Sequence, residues 1–167
     1  MRRINHSINK EEIYDILESV KDPEIPVVSI IDLGILRDVE ISEEGALVVS
    51  ITPTYTGCPA MDTIEKEIIT KLEDIGRPVE VKTLISPAWT TDWLTERGRK
   101  NLEAYGIAPP VEATTDKSFL TGTHKVINCP QCKSSNTEMI SHFGSTACKA
   151  LYRCKDCLEP FDYFKCI

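Results

Sequence analysis

Two closely spaced cysteine pairs near the end of the chain constrain its fold more than any other feature. Cys129 and Cys132 form the first pair, Cys154 and Cys157 form the second, and 21 residues lie between them. Each CxxC turn places two thiolates on one tight turn, and two such turns across a hairpin complete the tetrahedron of sulfur ligands that zinc accepts. The spacing therefore predicts a zinc ribbon whose closed four-thiolate site is structural.

The cellular compartment and the size of this segment favour a metal over disulfide bonds. The chain begins Met1-Arg2-Arg3 and continues with polar residues, so we expect no export signal, no membrane span and a reducing, cytoplasmic location. In that setting clustered cysteines bind metals more often than they form disulfides. A segment of about 45 residues can hardly bury a sufficient core, so the metal is expected to supply much of its folding free energy.

Three alternatives to a zinc site stay open: iron in the same four thiolates, a disulfide framework, and an iron–sulfur cluster. Cys148 and Cys166 raise the number of thiols to six, which could hold a cluster, and either could also replace a paired cysteine, join one in a disulfide, or pack as a small apolar residue. The histidines His124 and His142 stand outside the paired spacing. We expect them to be surface or hydrogen-bonded residues and not ligands.

The charge distribution argues against nucleic acid as a partner. Residues 1–119 hold 13 Lys and Arg against 22 Asp and Glu, whereas residues 120–167 hold 6 against 4. Proteins that bind nucleic acid concentrate basic residues to neutralise phosphates. The weakly basic end of this chain predicts no such patch.

Apolar periodicity predicts an α+β domain of three helices and three strands over residues 1–107. Stripes of apolar residues at helical spacing and runs of alternating parity define these elements. The helices are expected at about 10–21, 59–75 and 91–105, and the strands at 35–41, 47–51 and 79–85, the first two strands forming a hairpin.

A second, all-β domain is predicted after a linker. Residues 108–123 are rich in Thr, Pro and small or charged residues without a period, which is typical of a linker. Short β-branched or aromatic segments between the cysteine pairs then predict a small antiparallel zinc ribbon over 124–167. Its strands are expected at 124–128, 137–143, 147–153 and 161–165.

A seventh cysteine, Cys58, is a candidate functional thiol. Pro59 suits the first position of a helix, which puts Cys58 at the N-cap, where free N–H groups and the helix dipole favour a thiolate. We therefore expect a pKa below the usual value for a thiol, unless the carboxylates of Asp22 and Glu24 lie close enough to oppose it. A small buried residue closing a turn is the alternative interpretation.

Four motifs in order resemble the small α+β family of iron–sulfur assembly proteins that includes SufT. They are a DPE loop from Asp22, a DLG element at 32–34, the turn Thr54-Tyr-Thr56-Gly-Cys58-Pro, and a Pro-x-Trp segment ending at Trp89. The resemblance covers about residues 10–107. It implies a role in maturing iron–sulfur or other metal centres through Cys58, with Thr54 and Thr56 in its turn and the acidic loop of Asp22 and Glu24 alongside.

Together with the paired cysteines, residues 143–151 and 159–166 extend the resemblance to the PaaD family, small subunits associated with the bacterial phenylacetyl-CoA epoxidase system. The resemblance implies an accessory, non-catalytic subunit in phenylacetate degradation, with the oxygenase and reductase as partners and a transient iron or iron–sulfur cluster as cargo. Two alternatives are a redox or structural subunit acting during turnover and a general iron–sulfur assembly factor. A zinc ribbon that serves only for docking would leave Cys58 without a function. A homodimer also stays open.

Overall fold

The computed structural model describes residues 9–111 and 126–165 of the 167-residue chain. The predicted positions His124 and Cys166 lie outside the described residues. Within these two ranges, no helix has both the length and the apolar character needed to cross a membrane. The described elements follow the predicted α+β order, with three α-helices before the strands of the ribbon.

Helix α1 (Lys10–Glu18) begins at the predicted capping box of Asn9 and Glu12. The Asn9 side chain accepts from the Glu12 amide at 2.8 Å, and the Glu12 carboxylate accepts from the Asn9 amide at 3.1 Å. The helix ends before residue 21, where it was predicted to end. The carbonyl of Val20 instead accepts from the amide of Ile30 at 3.1 Å, so the chain leaves the helix to pair with the far side of the DPE loop.

The first sheet has the order β1-β2-β3 and contains the predicted hairpin. Strands β1 (Leu36–Ile41) and β2 (Leu47–Ile51) are antiparallel, whereas β3 (Val79–Thr83) runs parallel to β2. Helix α2 (Ala60–Leu72) supplies the crossover that parallel neighbours require. The third strand ends before Ile85, which is 73% exposed and therefore adds nothing to the core.

The core of this domain forms where the apolar stripes of α1 and α2 meet the sheet. The two helices pack together, and α2 packs against β3. Fully buried side chains from all these elements share one cluster, among them Leu17, Val49, Ile51, Ile64 and Ile68. Burial of such side chains is the dominant stabilising contribution in a domain of this size.

The prediction of a single third helix over residues 91–105 is wrong for its first residues. A 3₁₀ turn at Thr91–Trp93 precedes α3 (Glu96–Tyr105), and Thr95 between them has extended backbone angles. The Thr95 hydroxyl accepts from the Gly98 amide at 2.9 Å and so caps α3. The Thr95 amide donates to the carbonyl of Asp32 at 2.9 Å, which holds the break against the DLG element.

The carboxylate of Asp32 organises this junction. It accepts hydrogen bonds from the Ser29 amide at 3.1 Å, from the Thr95 hydroxyl at 3.1 Å and from the Arg97 guanidinium at 2.7 Å. The Asp32 side chain is only 1% exposed. A buried carboxylate with several donors holds neighbouring segments together, so this motif residue has a structural role.

Close packing explains both glycines at the same junction. Gly34 has φ +67°, and an added Cβ would lie 2.4 Å from the carbonyl oxygen of Trp93. At Gly98, in α3, an added Cβ would lie 2.8 Å from the carbonyl oxygen of Asp32. No side chain fits at either position, so the DLG segment and α3 make backbone contact.

The ribbon sheet has the order β4-β7-β6-β5. Its strands β5 (Thr137–Ser141), β6 (Lys149–Cys154) and β7 (Pro160–Phe164) are antiparallel, as predicted. Residues 126–128, predicted as part of a further strand, are not in a strand. The strand at this edge of the sheet is β4 (Ile107–Ala108), which follows α3 directly and pairs with β7 in parallel.

The ribbon is packed against the first domain. Cys148 and Phe164 of the ribbon are buried in the same apolar cluster as α1 and α2. The indole of Trp89, in the same cluster, donates to the carbonyl of Leu33 at 2.7 Å. Domain limits of 1–107, 108–123 and 124–167 stay a prediction. Among the described residues, Ala108 belongs to the sheet of the ribbon.

Candidate functional site

The four paired cysteines converge at one end of the ribbon. The Sγ atoms of Cys129 and Cys157 are 3.7 Å apart, those of Cys132 and Cys154 are 3.5 Å apart, and all four lie within 4.8 Å of one another. A tetrahedral zinc with bonds of about 2.3 Å requires sulfur–sulfur separations of about 3.8 Å. The donor set therefore fits zinc in number, chemistry and spacing.

The two cysteine turns have the same backbone construction. The amide of Cys129 donates to the carbonyl of Ser134 at 2.9 Å, and the amide of Cys154 donates to that of Glu159 at 3.0 Å. The residue after each pair, Lys133 or Leu158, has a left-handed φ of 64° or 65°. Because non-glycine residues rarely adopt this conformation, its occurrence in both turns indicates a backbone arranged to present thiolates.

Asp156 ties the two turns together. Its carboxylate accepts from the hydroxyl of Ser134, and from the side-chain amide of Asn136 at 2.7 Å. The amide of Lys155 also donates to the carbonyl of Asn136 at 2.8 Å. These contacts hold the second turn against the first without using the thiolates, as supporting residues do around structural metals.

The candidate thiol Cys58 lies at the start of α2 and is half-buried. The regular helix begins at Ala60, one residue later than predicted, but Pro59 already has helical angles of −69° and −18°. The Cys58 carbonyl accepts from the Met61 amide at 3.3 Å, and its Sγ accepts from the Ala60 amide. The N-cap of this helix is Pro59, so Cys58 lies one residue before the predicted cap position, with its thiol still facing the start of the helix.

The expectation of a lowered pKa for this thiol is wrong. Burial raises the pKa of Cys58, and this effect exceeds the opposing hydrogen bonds from the Ala60 amide and the Tyr55 hydroxyl. The negative charges of Asp22 and Glu24 raise the pKa further. Cys58 is therefore a neutral thiol near neutral pH, and it becomes a thiolate when a metal or a base takes its proton.

The DPE loop is an ordered turn that holds the carboxylates near Cys58. Asp22 Oδ1 accepts from the amides of Glu24 and Ile25, each at 2.8 Å, and the Asp22 amide donates to the carbonyl of Val28 at 3.0 Å. Asp22 is buried, with 9% of its surface exposed, whereas Glu24 is exposed. Burial raises the pKa of Asp22, against the effect of its two backbone hydrogen bonds.

Sequence reasoning found Cys58 and its acidic loop but missed what surrounds them. Cys148, directly before β6, and Lys149, its first residue, act on the same group: the negative charge of Asp22 acts on Cys148, and the positive charge of Lys149 acts on Asp22. Tyr55, three residues before Cys58, donates to its thiol. The spacing of Tyr55 and Cys58 within one turn was a detectable signal, whereas the arrival of β6 depends on tertiary packing.

The two threonines of the turn differ in environment. Thr54 is buried and Thr56 is exposed. A role for their hydroxyls beside Cys58 stays a prediction. His142, predicted not to be a metal ligand, is exposed, and its carbonyl accepts from Lys165.

Both parts of the chain match models of known protein families. Residues 10–83 match the family model described as "Iron-sulfur cluster assembly protein", and residues 113–165 match the "PaaD zinc beta ribbon domain". An Escherichia coli (strain K12) protein, named as a putative component of 1,2-phenylacetyl-CoA epoxidase, is 48% identical over 93% of this chain and 92% of its own length. This chain belongs to the PaaD family. Its ribbon is therefore a PaaD zinc ribbon, and the four clustered cysteines lie within the matched residues.

Other relatives of this PaaD-family chain cover about half of it. An Fe-S protein maturation auxiliary factor of Porphyromonas gingivalis is 33% identical over 56% of this chain and 90% of its own length. The corresponding factor YitW of Bacillus subtilis is 38% identical over 50% of this chain and 82% of its own. The crystal structure of a DUF59 domain from Bacillus anthracis superposes with a TM-score of 0.51 at 28% identity, covering 55% of this chain and 89% of that chain.

Proposed function

We propose that this chain is a non-catalytic accessory factor that assists assembly of the iron or iron–sulfur centres of the phenylacetyl-CoA epoxidase system, with Cys58 as its functional thiol. The observation that carries the proposal is the position of Cys58, half-buried at a helix start beside Asp22 and Glu24, in a domain related to Fe-S maturation factors. Thiolates are the ligands of iron–sulfur clusters, and carboxylates also bind iron.

The electrostatics of Cys58 suit a cargo that is taken up and released. A raised pKa means that a proton competes with iron for the sulfur. Such a thiol binds an iron centre less tightly than the four thiolates of the ribbon bind zinc. The ribbon thus supplies stability, and the first domain supplies the exchangeable ligand.

Deletion of the gene in cells that use phenylacetate tests this function. We expect oxygenase or reductase with low iron occupancy, and Cys58→Ala should reproduce the deletion. Glu43→Gln, on the exposed hairpin between β1 and β2, is the matched control and should leave occupancy unchanged.

The activity of iron-loaded partner proteins, and the state of other iron–sulfur enzymes after the deletion, separate the competing roles. Oxygenase and reductase that carry their full iron should epoxidise phenylacetyl-CoA without this chain. If they instead need it in stoichiometric amounts for every turnover, the chain is a redox or structural subunit. If iron–sulfur enzymes outside the epoxidase system also lose their clusters, the chain is a general assembly factor, a role that its likeness to YitW and SufT favours.

A further inference from the structure

Strand β3 forms an edge of the first sheet. Its neighbour on one side is the parallel strand β2, and among the described residues no strand lies on its other side. The ladder with β2 continues just beyond both ends of β3. The Pro78 carbonyl accepts from the Leu47 amide at 2.8 Å, and the Leu84 amide donates to the Ile51 carbonyl at 2.7 Å.

The backbone groups of alternate residues of β3 point away from the sheet. The amide and carbonyl of one strand residue point to the same side, and the side alternates along the strand. Since Pro78 and Leu84 bond to β2, the even-numbered residues of this segment face β2 and the odd-numbered ones face outward. Within the described ranges, the outward groups of Val79, Val81 and Thr83 pair with no other backbone.

The other edge strands of the two sheets are irregular or very short, whereas β3 is not. The pairing of β1 shifts between Leu36 and Asp38, and the Asp38 carboxylate accepts from the Val39 amide at 2.8 Å. Strand β5 has a similar irregularity, and β4 has two residues. Bulges and short strands protect an edge against pairing with another chain. Strand β3 pairs regularly along all five of its residues and lacks such protection.

Two valines of β3 are incompletely covered. Val79 and Val81 pack against the apolar cluster of the first domain but are only half-buried. Val49 and Ile51, on the adjacent strand β2, are fully buried at 0% exposure. A further strand beside β3 would cover the remaining apolar surface of both valines.

The charges on β3 are complementary to those of a second copy of the same strand. Glu80 and Lys82 are both exposed. When two β3 strands pair antiparallel about a two-fold axis at Val81, Glu80 of each copy lies directly opposite Lys82 of the other. A two-fold contact makes each such pair twice. Registers centred on Glu80 or Lys82 would instead place like charges opposite each other, which is destabilising.

The same register satisfies the outward backbone groups. Val81 lies opposite Val81 of the second copy, and Val79 lies opposite Thr83, so every outward amide and carbonyl of these residues gains a partner. Glu80 and Lys82 then form the non-hydrogen-bonded pairs, in which opposing side chains approach most closely. Backbone and charge thus favour one and the same register.

We infer that β3 is a docking edge for a second copy of this chain, which adds its own β3 antiparallel about a two-fold axis at Val81 and makes the two sheets continuous. The inference goes beyond the proposed function and does not rest on it. Its consequence for the site follows from strand direction. The turn of Cys58 follows β2, which is parallel to β3, so the turns of the two copies lie at opposite ends of the continuous sheet. Each copy therefore presents its own thiol.

Sedimentation of the full, zinc-loaded chain under reducing conditions, over a range of concentrations, tests the inference. Wild type should show a monomer–dimer equilibrium. Glu80→Lys and Lys82→Glu should each weaken dimerisation at least about tenfold, because each places like charges opposite each other at both contacts. An equimolar mixture of these two variants should dimerise again, since opposite charges then face each other. Glu43→Lys makes the same charge change on the exposed hairpin between β1 and β2 and should dimerise as wild type.

A backbone variant and hydrogen exchange test the edge without relying on charge. Val81→Pro removes an amide that β2 does not use, so it should abolish the dimer and leave the first sheet paired. In wild type, the amides of Val79, Val81 and Thr83 should exchange more slowly at concentrations that favour the dimer. Retained zinc and an unchanged far-ultraviolet spectrum establish that each variant is folded.

Three results would overturn the inference. Wild type could be monomeric at every concentration, or it could form a dimer that neither the charge variants nor Val81→Pro weaken. The third is slow exchange at the amides of Val79, Val81 and Thr83 that arises only when purified oxygenase or reductase is added, which would assign the edge to a strand of that partner. Restored dimerisation in the mixture of Glu80→Lys and Lys82→Glu would support both the second copy and the register.

Discussion

The rings of Trp89 and Phe164 meet edge to face, with centroids 5.9 Å apart and planes at 83°. Trp89 belongs to the first domain and Phe164 ends the last strand of the ribbon, so this pair extends the apolar core of the first domain into the ribbon. Both residues are buried, at 4% and 1% exposure. Aromatic pairs of this geometry contribute beyond the area they bury.

Loss of the Phe164 ring should uncouple the domains. Phe164→Ala should lower the free energy of unfolding by about 3–5 kcal/mol, as expected for a fully buried ring, and shift Trp fluorescence to the red. Zinc should be retained, because the cysteine turns do not depend on this contact. Phe143→Ala, at a residue 62% exposed, is the control with little effect. Equal stability of the two variants would contradict a shared core.

The ribbon should depend on its metal. Cys132→Ser removes one ligand, and because the metal supplies much of the folding free energy of so small a sheet, the variant should lose zinc and the ribbon should unfold. Far-ultraviolet circular dichroism should still show the helices of the first domain. Cys58→Ser is the matched control and should keep one zinc per chain. A folded Cys132→Ser protein with full zinc would disprove the ligand assignment.

Replacing Gly34, which makes a close backbone contact, should destabilise the fold more than replacing a glycine in an open turn. Gly34→Ala forces a Cβ to within 2.4 Å of the Trp93 carbonyl at φ +67°, whereas at Gly45, with φ +83°, nothing lies within 4 Å of the added atom. Gly45→Ala should cost about 1–2 kcal/mol from the backbone conformation alone. Gly34→Ala should cost clearly more in chemical denaturation, and equal losses would refute the role of close packing.

The buried carboxylate of Asp32 should make stability depend on pH. Burial raises its pKa, but the hydrogen bond from Ser29 and the interaction with Arg97 together lower the pKa below its usual value. The ionised form therefore stabilises the fold above the unfolded value of about 3.9, and this contribution is lost as pH falls through the folded pKa.

Comparison of Asp32→Asn with wild type at equal pH isolates this contribution. The variant should be about 2 kcal/mol less stable at pH 7, and the difference should vanish at acidic pH. Asp38→Asn removes an exposed partner of Lys10 and should cost less than about 1 kcal/mol. If the difference in stability between Asp32→Asn and wild type did not change with pH, the hydrogen bonds to the ionised carboxylate would not be its cause.

The acidic loop should slow the chemistry of the Cys58 thiol. Asp22 raises the pKa of Cys58, and Asn at position 22 keeps an oxygen for the two backbone hydrogen bonds while removing the charge. Asp22→Asn should therefore shift the alkylation midpoint of Cys58 to lower pH, as followed by peptide mass spectrometry. Glu43→Gln should leave the midpoint unchanged. An unchanged midpoint in Asp22→Asn would show that the charge of Asp22 does not raise the pKa of Cys58.

Much of the architecture followed from short-range patterns. The capping box at Asn9, the turn before α2 and the two cysteine turns each depend on residues within a few positions of one another, so their spacing in the sequence determines their geometry. The α+β order and the hairpin likewise follow from local periodicity. Errors arose where distant contacts decide an element, as at Thr95, where the Asp32 carbonyl interrupts a predicted helix.

The sequence by itself determined which four cysteines come together in the ribbon, the place of Cys58 at a helix start, and the acidic residues of the DPE loop. Only the tertiary structure decided the charge state of that thiol, because burial exceeds the effect of the helix end. It alone placed Cys148 in the apolar cluster against which Cys58 packs, 90 positions earlier in the sequence, and Phe164 of the ribbon is buried in the same cluster. Desolvation and long-range packing depend on the whole fold, and no local pattern encodes either of them.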